Sequence, residues 1–547
     1  MHSKKIPIVL ILITILSNTV YSQNKNVNVQ STNFVHSNKI DKNNIEMHFN
    51  NWGESYTPDT QSGGFWNVPN EPHSRGIVYD QGPWIIGKRN NEIVISGAQW
   101  YYGYSPGPII NGQAAMLIHP EDSTKYRVYK INKGDNNSNP DYAEWPVNFG
   151  APINNQGEPL VLGAQTLWTS FNYLDSNLVY PFGFPQNKIS PLEIEIHQSV
   201  FAREGNEIDL QNIFANVTFI EYEIIYKGLD PIDSAYFGFW TDIDFDPWND
   251  NRPAVNVPLD LGYCWTDKDT MFDGTIPVSV GYAMLYGPVI PFAGSNAVFK
   301  GKSKSNYKNL NISSFKGIAD DGTFPSDSLY APISSIMDAL NYSRGLNRNG
   351  NPYIDPITLQ PTTFPFSGDP VTGTGWLYDG FTGGGGAGFM FFSGPFTLAT
   401  NDTQWTMIAL VPGLGNTNLN SIQAMREKVE ILRSLPYDSI AFGSTNYFIT
   451  DVEEKYNSIP EKFSLTQNYP NPFNPSTKIS WQSPVSGHHS LKIYDVLGSE
   501  VATLVNQEQN AGNYNVDFNA KHLSSGVYFY QLKSGEFIQT KKMVLLK

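Results

Sequence analysis

From about residue 24 to residue 455, short runs alternate apolar and polar positions with a period of two and are bounded by Asn, Gly, Pro and Asp. That pattern predicts strands separated by turns. In Leu192-Glu193-Ile194-Glu195-Ile196-His197 the apolar residues share one face and Glu193, Glu195 and His197 the other, which predicts a half-buried strand. The runs 214–226, 234–240, 279–285, 388–392 and 403–410 behave alike, and their spacing suits a sandwich of antiparallel sheets. Two stretches have helical spacing, 329–342 and 419–435; in the second, Ile422, Met425, Val429 and Leu432 recur after the capping candidates Asn418 and Asn420. The expected fold is mainly β: a large antiparallel β-sandwich-type region, residues 23–452, with two short helices.

Composition narrows the class. Aromatic residues make up 14% of the 547 positions and charged residues only 16%, which excludes a disordered chain or a coiled coil. The net charge of −15 repels a phosphate backbone, so nucleic acid is not an expected partner. Cys264 is the only cysteine, which leaves no intramolecular disulfide and no thiolate metal site. Lys4 and Lys5, the apolar run 6–16 and Val20-Tyr21-Ser22 read as a secretory signal over residues 1–22, cut after Ser22. The apolar run is too short to span a bilayer, which takes roughly 20 residues.

A polar linker, 453–462, leads into a small module, 463–547, with six or seven strand-like runs; Tyr514, Val516 and Phe518 alternate there with Asn515, Asp517 and Asn519. An immunoglobulin-like β-sandwich is the simplest solution. Pro470, Pro472 and Pro475 fix an extended entry to it. The module carries Asn468-Tyr469-Pro470-Asn471-Pro472-Phe473-Asn474-Pro475, Gly526-Val527-Tyr528 and a terminal Lys541-Lys542-Met543-Val544-Leu545-Leu546-Lys547. In these motifs, and in 491–498 and 511–514, it resembles the type A C-terminal sorting domain of the type IX secretion system. The resemblance implies transit of the periplasm, recognition by the type IX translocon and its sorting machinery, and arrival at the outer-membrane surface or outside the cell. Surface lipopolysaccharide is an implied attachment partner. The large region resembles secreted proteins that share this tail, through Trp145-Pro146-Val147, the 366–376 run and Ser393-Gly394-Pro395-Phe396, and that likeness implies no activity.

The strongest chemical motif is Trp240-Thr241-Asp242-Ile243-Asp244-Phe245-Asp246-Pro247-Trp248-Asn249-Asp250. If 240–246 continue a strand, Asp242, Asp244 and Asp246 crowd on one face, and with Asp250 they offer the hard oxygen ligands that suit Ca2+. A solvated acidic turn is the alternative. The loop 347–351 followed by Asp355 is a weaker candidate of this kind, with a plain Asn-Gly turn as its alternative. Glu193 with Glu195, and Glu221 with Glu223, are same-face pairs of the type a glycoside hydrolase needs, although the wet face of a strand gives the same spacing. The 383–388 glycine run fits GxGxxG but precedes a strand rather than a helix, which fails the phosphate-site context. Trp66, Trp84, Trp100, Tyr101 and Tyr102 offer either core packing or a platform for sugar rings. The expectation is a secreted cell-surface protein with a non-catalytic binding or structural module, carbohydrate being a possible ligand. The alternative is a glycan-active hydrolase using Asp or Glu, which needs two opposed carboxylates in a concave pocket.

Overall fold

A computed structural model describes residues 36–55, 63–68, 71, 73–98, 103–175, 191–204, 213–243, 251–271, 274–319, 333, 335–379, 387–443, 462–468, 470–509, 511–535 and 537–546. The chain divides into two compact units, residues 1–443 and 444–547. Among the described residues no helix is long and apolar enough to cross a membrane.

In the first unit a large antiparallel sheet runs in the order Tyr129–Asn132, Gln165–Tyr173, Leu192–Ala202, Thr218–Tyr226, Thr403–Gly413, Ser279–Tyr286, Leu261–Trp265, Arg252–Asn256. A second sheet runs Ser314–Ala319, Ala387–Leu398, Ile232–Asp242, Asp80–Arg89, Glu92–Gly97. Their inner faces meet through aromatic side chains: Phe239 stands 4.7 Å from Tyr282 and Tyr222 5.9 Å from Phe237, centroid to centroid. Each such ring, fully buried, contributes on the order of 2 to 3 kcal/mol by area, and this seam is the core of the predicted sandwich.

The outer faces are covered too. The Ile336–Ser343 helix lies against the smaller sheet and the Asn418–Ser434 helix against the larger one. Alternation along 192–197 therefore does not leave a wet side: Glu195 and His197 are 2% and 7% exposed. The cover comes from segments remote in sequence, which is why a local pattern reads the strand as half-buried.

The first predicted helix appears as Ile336–Ser343, with the Ser335 hydroxyl accepting from Asp338 N at 3.0 Å. For the second, the cap is Thr417, whose Oγ1 accepts from Asn420 N at 3.1 Å, rather than Asn418 or Asn420. Thr417 still has extended backbone, whereas Asn418 already lies in the helix, and its side chain donates instead to Thr266 O at 3.0 Å. Three shorter helices, Ala115–Ile118, Pro140–Ala143 and Tyr437–Ala441, are too brief for a helical period to register. Trp66 and Trp84 are fully buried, their indole N–H groups donating to Asn216 Oδ1 and Ala98 O; they are core and form no sugar platform. Trp100, Tyr101 and Tyr102 lie outside the described residues.

The second unit is a seven-stranded sandwich. Ser464–Leu465, Ser476–Ser483 and Gly512–Asn519 form one sheet; Glu500–Gln509, Gly487–Tyr494, Gly526–Ser534 and Phe537–Leu545 form the other. Ile479, Trp481, Leu491, Ile493, Tyr530, Leu532 and Met543 fill the space between.

Candidate functional site

On the outer face of the large sheet, register brings the carboxylates of two neighbouring strands together, with Trp405 on the third. His197 lies opposite Glu223, and Glu223 opposite Trp405. Charges alternate along this face in a chain: Lys227 Nζ to Glu195 Oε2 at 2.6 Å, Glu195 Oε1 to His197 Nε2 at 2.8 Å, His197 Nδ1 to Glu223 Oε2 at 3.6 Å, and Glu223 Oε1 to Lys300 Nζ at 2.6 Å. Ile109 N also donates to Glu195. Glu193 stands apart, paired with Arg89 at 2.5 Å.

The chain is roofed. Gly150, at φ +95°, lies so close to His197 that a Cβ there would sit 2.2 Å from the ring. Trp168 meets His197 edge-on at 5.5 Å, and Trp145 packs on Trp168 at 6.2 Å. Burial alone lowers the pKa of His197, but the Glu195 and Glu223 carboxylates outweigh it and raise it. Burial likewise opposes ionisation of Glu195 and Glu223, yet His197 with Lys227 holds the first down, and His197 with Lys300 brings the second to about 2. Glu221, two residues along the same face, has no ion-pair partner among the described residues, although the Lys300 charge also favours its ionised form. Burial pushes it up to about 7, offset only in part by the Tyr437 hydroxyl and the Trp405 indole. Its Oε1 has no hydrogen-bond partner.

Asp242 is the last residue of its strand and pairs in register with Asp80, so the two carboxylates share a face at 8% and 0% exposure. Asp244, Asp246 and Asp250 lie outside the described residues, as does the 383–386 glycine run. Among the described residues no three His, Cys, Asp or Glu side chains converge to hold a metal ion. In the 347–351 loop, Asn347 Oδ1 accepts from Asn349 N and Asn351 N, both at 3.0 Å, and Asp355 Oδ1 accepts from Ile357 N and Thr358 N. The Asn347 oxygen closes the Asn-Gly turn, and the Asp355 oxygen closes the separate turn that follows it.

In the tail unit the proline-rich motif clamps the last strand. Phe473 N donates to Val544 O and Leu546 N to Phe473 O, both at 2.9 Å, while Asn471 Oδ1 accepts from Val544 N at 2.9 Å. Asn468 N donates to the Tyr530 hydroxyl at 2.8 Å, and that hydroxyl donates to Thr466 O at 2.7 Å. The Asn468 amide reaches Pro470 O and Thr477 Oγ1. Phe473 is 2% exposed, in the core with Phe518. Gly526 pairs with Leu545 and Lys542 with Phe529 across the final hairpin, and the Tyr528 hydroxyl donates to Ser524 O at 2.9 Å. Pro472, Asn474 and Pro475 continue the motif into the Ser476–Ser483 strand, and Ala520 N donates to Pro475 O at 2.8 Å. Tyr469 and Lys547 lie outside the described residues.

Strand alternation puts Glu193, Glu195 and His197 on one face and Glu221 with Glu223 on one face, but it shows neither that the two strands bring these faces together nor that His197 and Lys300 pair with the acids. The signal available for Lys300 was the run of lysines at 300, 302, 304 and 308 with no acid from 287 to 313.

Residues 467–546 match the family described as the secretion system C-terminal sorting domain. No curated protein matches the chain. Among solved structures, a polysaccharide lyase is similar at 8% identity and TM-score 0.27, over 93% of this chain and 47% of that one. PorZ, a surface component of the type IX secretion system of Porphyromonas gingivalis, is similar at 10% identity and TM-score 0.12, over 94% of this chain and 56% of that one. The chain thus spans about half the length of these two structures, and TM-scores this low carry no argument about its fold or activity.

Proposed function

We infer, from a carboxy-terminal unit that is a secretion system sorting domain, that the first unit is the cargo, a non-catalytic binding module displayed at the cell surface or released from it. The sorting domain marks the chain for type IX export to the surface or the extracellular space. Carbohydrate is the ligand class proposed for the first unit. The observation that carries the non-catalytic reading is the commitment of the outer-face acids: Glu193, Glu195 and Glu223 each hold an ion-pair partner, and Glu221 is buried. A general acid must reach the leaving-group oxygen of a substrate, and Glu221 faces Tyr437 and Trp405 instead.

A second reading rests on one specific observation. Glu221 and Glu223 have pKa values driven apart, to about 7 and about 2, and such a split is how acid and nucleophile divide their roles in glycoside hydrolysis. The test incubates purified mature protein with a panel of neutral and acidic polysaccharides and measures retention and turnover together. Retention without turnover is the expected outcome. Turnover that disappears in Glu221→Gln and Glu223→Gln would establish the hydrolase instead.

A further inference from the structure

The Val289–Phe299 and Lys302–Asn309 strands form a two-stranded arm outside both large sheets. Gln404 holds its base: Oε1 accepts from Val289 N at 2.8 Å and Nε2 donates to Val289 O at 3.2 Å. Its tip is the two-residue turn Lys300-Gly301, with φ of +50° and +73°, the left-handed pair that a tight hairpin turn requires. The tip is fastened as well. Lys300 pairs with Glu223, and Gly301 lies where a Cβ would stand 2.4 Å from the Tyr437 ring. With both ends fixed, the middle of the arm is presented in a defined shape.

That middle has a chemistry unlike the rest of the chain. The net charge is −15, yet residues 287–313 contain Lys300, Lys302, Lys304 and Lys308 and no acid. Lys300 is taken by Glu223; among the described residues Lys302, Lys304 and Lys308 have no ion-pair partner. Two of these ammonium groups sit over rings. Lys304 Nζ is 3.9 Å from the Tyr307 centroid and 5.1 Å from that of Phe299, and Lys308 Nζ is 4.4 Å from that of Phe292. Phe292 is 49% exposed. Unpaired cations interleaved with accessible rings answer two features of one ligand class: anionic groups for the ammoniums, and pyranose C–H faces for the rings.

We propose that this arm binds an anionic polysaccharide, with Lys302, Lys304 and Lys308 taking its carboxylates and Phe292 and Tyr307 its sugar faces. The proposal rests on the binding-module reading above and deepens it by naming the ligand class and the site. A glycan is favoured over a nucleic acid because the chain carries an export tail and because its net charge of −15 repels a long phosphate backbone that runs past the arm.

The test uses full-length mature protein and polygalacturonate as the probe, with neutral dextran and single-stranded DNA as comparisons. Three neutralised charges give a slope of log affinity against log salt near −2, taking roughly −0.7 per charge for a flexible polyanion. Affinity should then fall roughly 20-fold from about 50 to 200 mM salt. The triple variant K302Q/K304Q/K308Q should lose binding by at least about 10-fold and flatten that slope, with the melting temperature unchanged. F292S should weaken binding while leaving the slope intact. Polygalacturonate bound as well by the triple variant would place the site elsewhere and leave the binding-module reading standing. Retention of dextran but not polygalacturonate would overturn the ligand class alone. Single-stranded DNA bound as tightly, with the same loss in the variant, would overturn the choice of glycan, and turnover of any glycan would overturn the binding-module reading itself.

Discussion

Replacing Glu223 by Gln keeps the shape of the side chain and removes one charge from the chain Lys227, Glu195, His197, Glu223, Lys300. Glu223 falls from an ordinary 4.5 to about 2, and 2.5 units at 1.36 kcal/mol each is roughly 3 kcal/mol. The carboxylate is 20% exposed, so screening trims this only modestly. His197 and Lys300 share it, and because Lys300 is 48% exposed its ion pair contributes about 1 kcal/mol or less. The pH dependence has a definite sign on each flank. A depressed carboxylate stabilises fully above about 4.5, and that stability is lost as pH falls towards 2. His197 has a raised pKa, so its contribution is complete below about 6.5 and is lost as pH rises through its folded value. The cost of E223Q should therefore be greatest between about pH 4.5 and 6.5 and shrink on both sides. Urea unfolding at a series of pH values, followed by the fluorescence of Trp168 and Trp405 beside the site, measures it. A cost under about 1 kcal/mol, or one that stays flat from pH 3 to 8, would refute the reasoning.

Glu221→Gln should do the opposite. An acid raised to about 7 by burial leaves the fold progressively less stable as pH rises from about 4.5 to 7, so the variant should match the parent at pH 4 and exceed it by roughly 3 kcal/mol at pH 8 in the same urea series. Gly150→Ala should lower the melting temperature of the first unit by the equivalent of at least about 2 kcal/mol, since it adds a Cβ at φ +95° against His197. Tyr530→Phe leaves Asn468 N and Thr466 O without the shared hydroxyl; denaturation of the tail unit should show a loss of roughly 1 to 3 kcal/mol, and an unchanged midpoint would mean the hydroxyl does not hold the motif.

Legibility followed sequence distance. The tail could be read because its recognition is local: Asn468, Pro470, Asn471 and Phe473 lie within six residues and clamp a strand at the chain end. Alternation gave the strands of the large unit and the shared face of Glu221 and Glu223, because a strand fixes side-chain direction with period two. It did not give their roles. Whether this face is wet or buried depends on Gly150 against His197, Ile109 on Glu195, Lys300 on Glu223 and Tyr437 on Glu221, partners 47 to 216 positions apart, and no periodicity encodes those meetings. The Thr417 cap was missed by one position, within the usual imprecision of helix ends.

Fractionation after removal of residues 463–547 tests the account most directly. In a host with a working type IX system, the full chain should reach the cell surface or the medium, whereas the truncated chain should stay in the periplasm, folded and protease-resistant. Truncated protein found outside the cell at the level of the full chain would contradict the assignment of export to this tail.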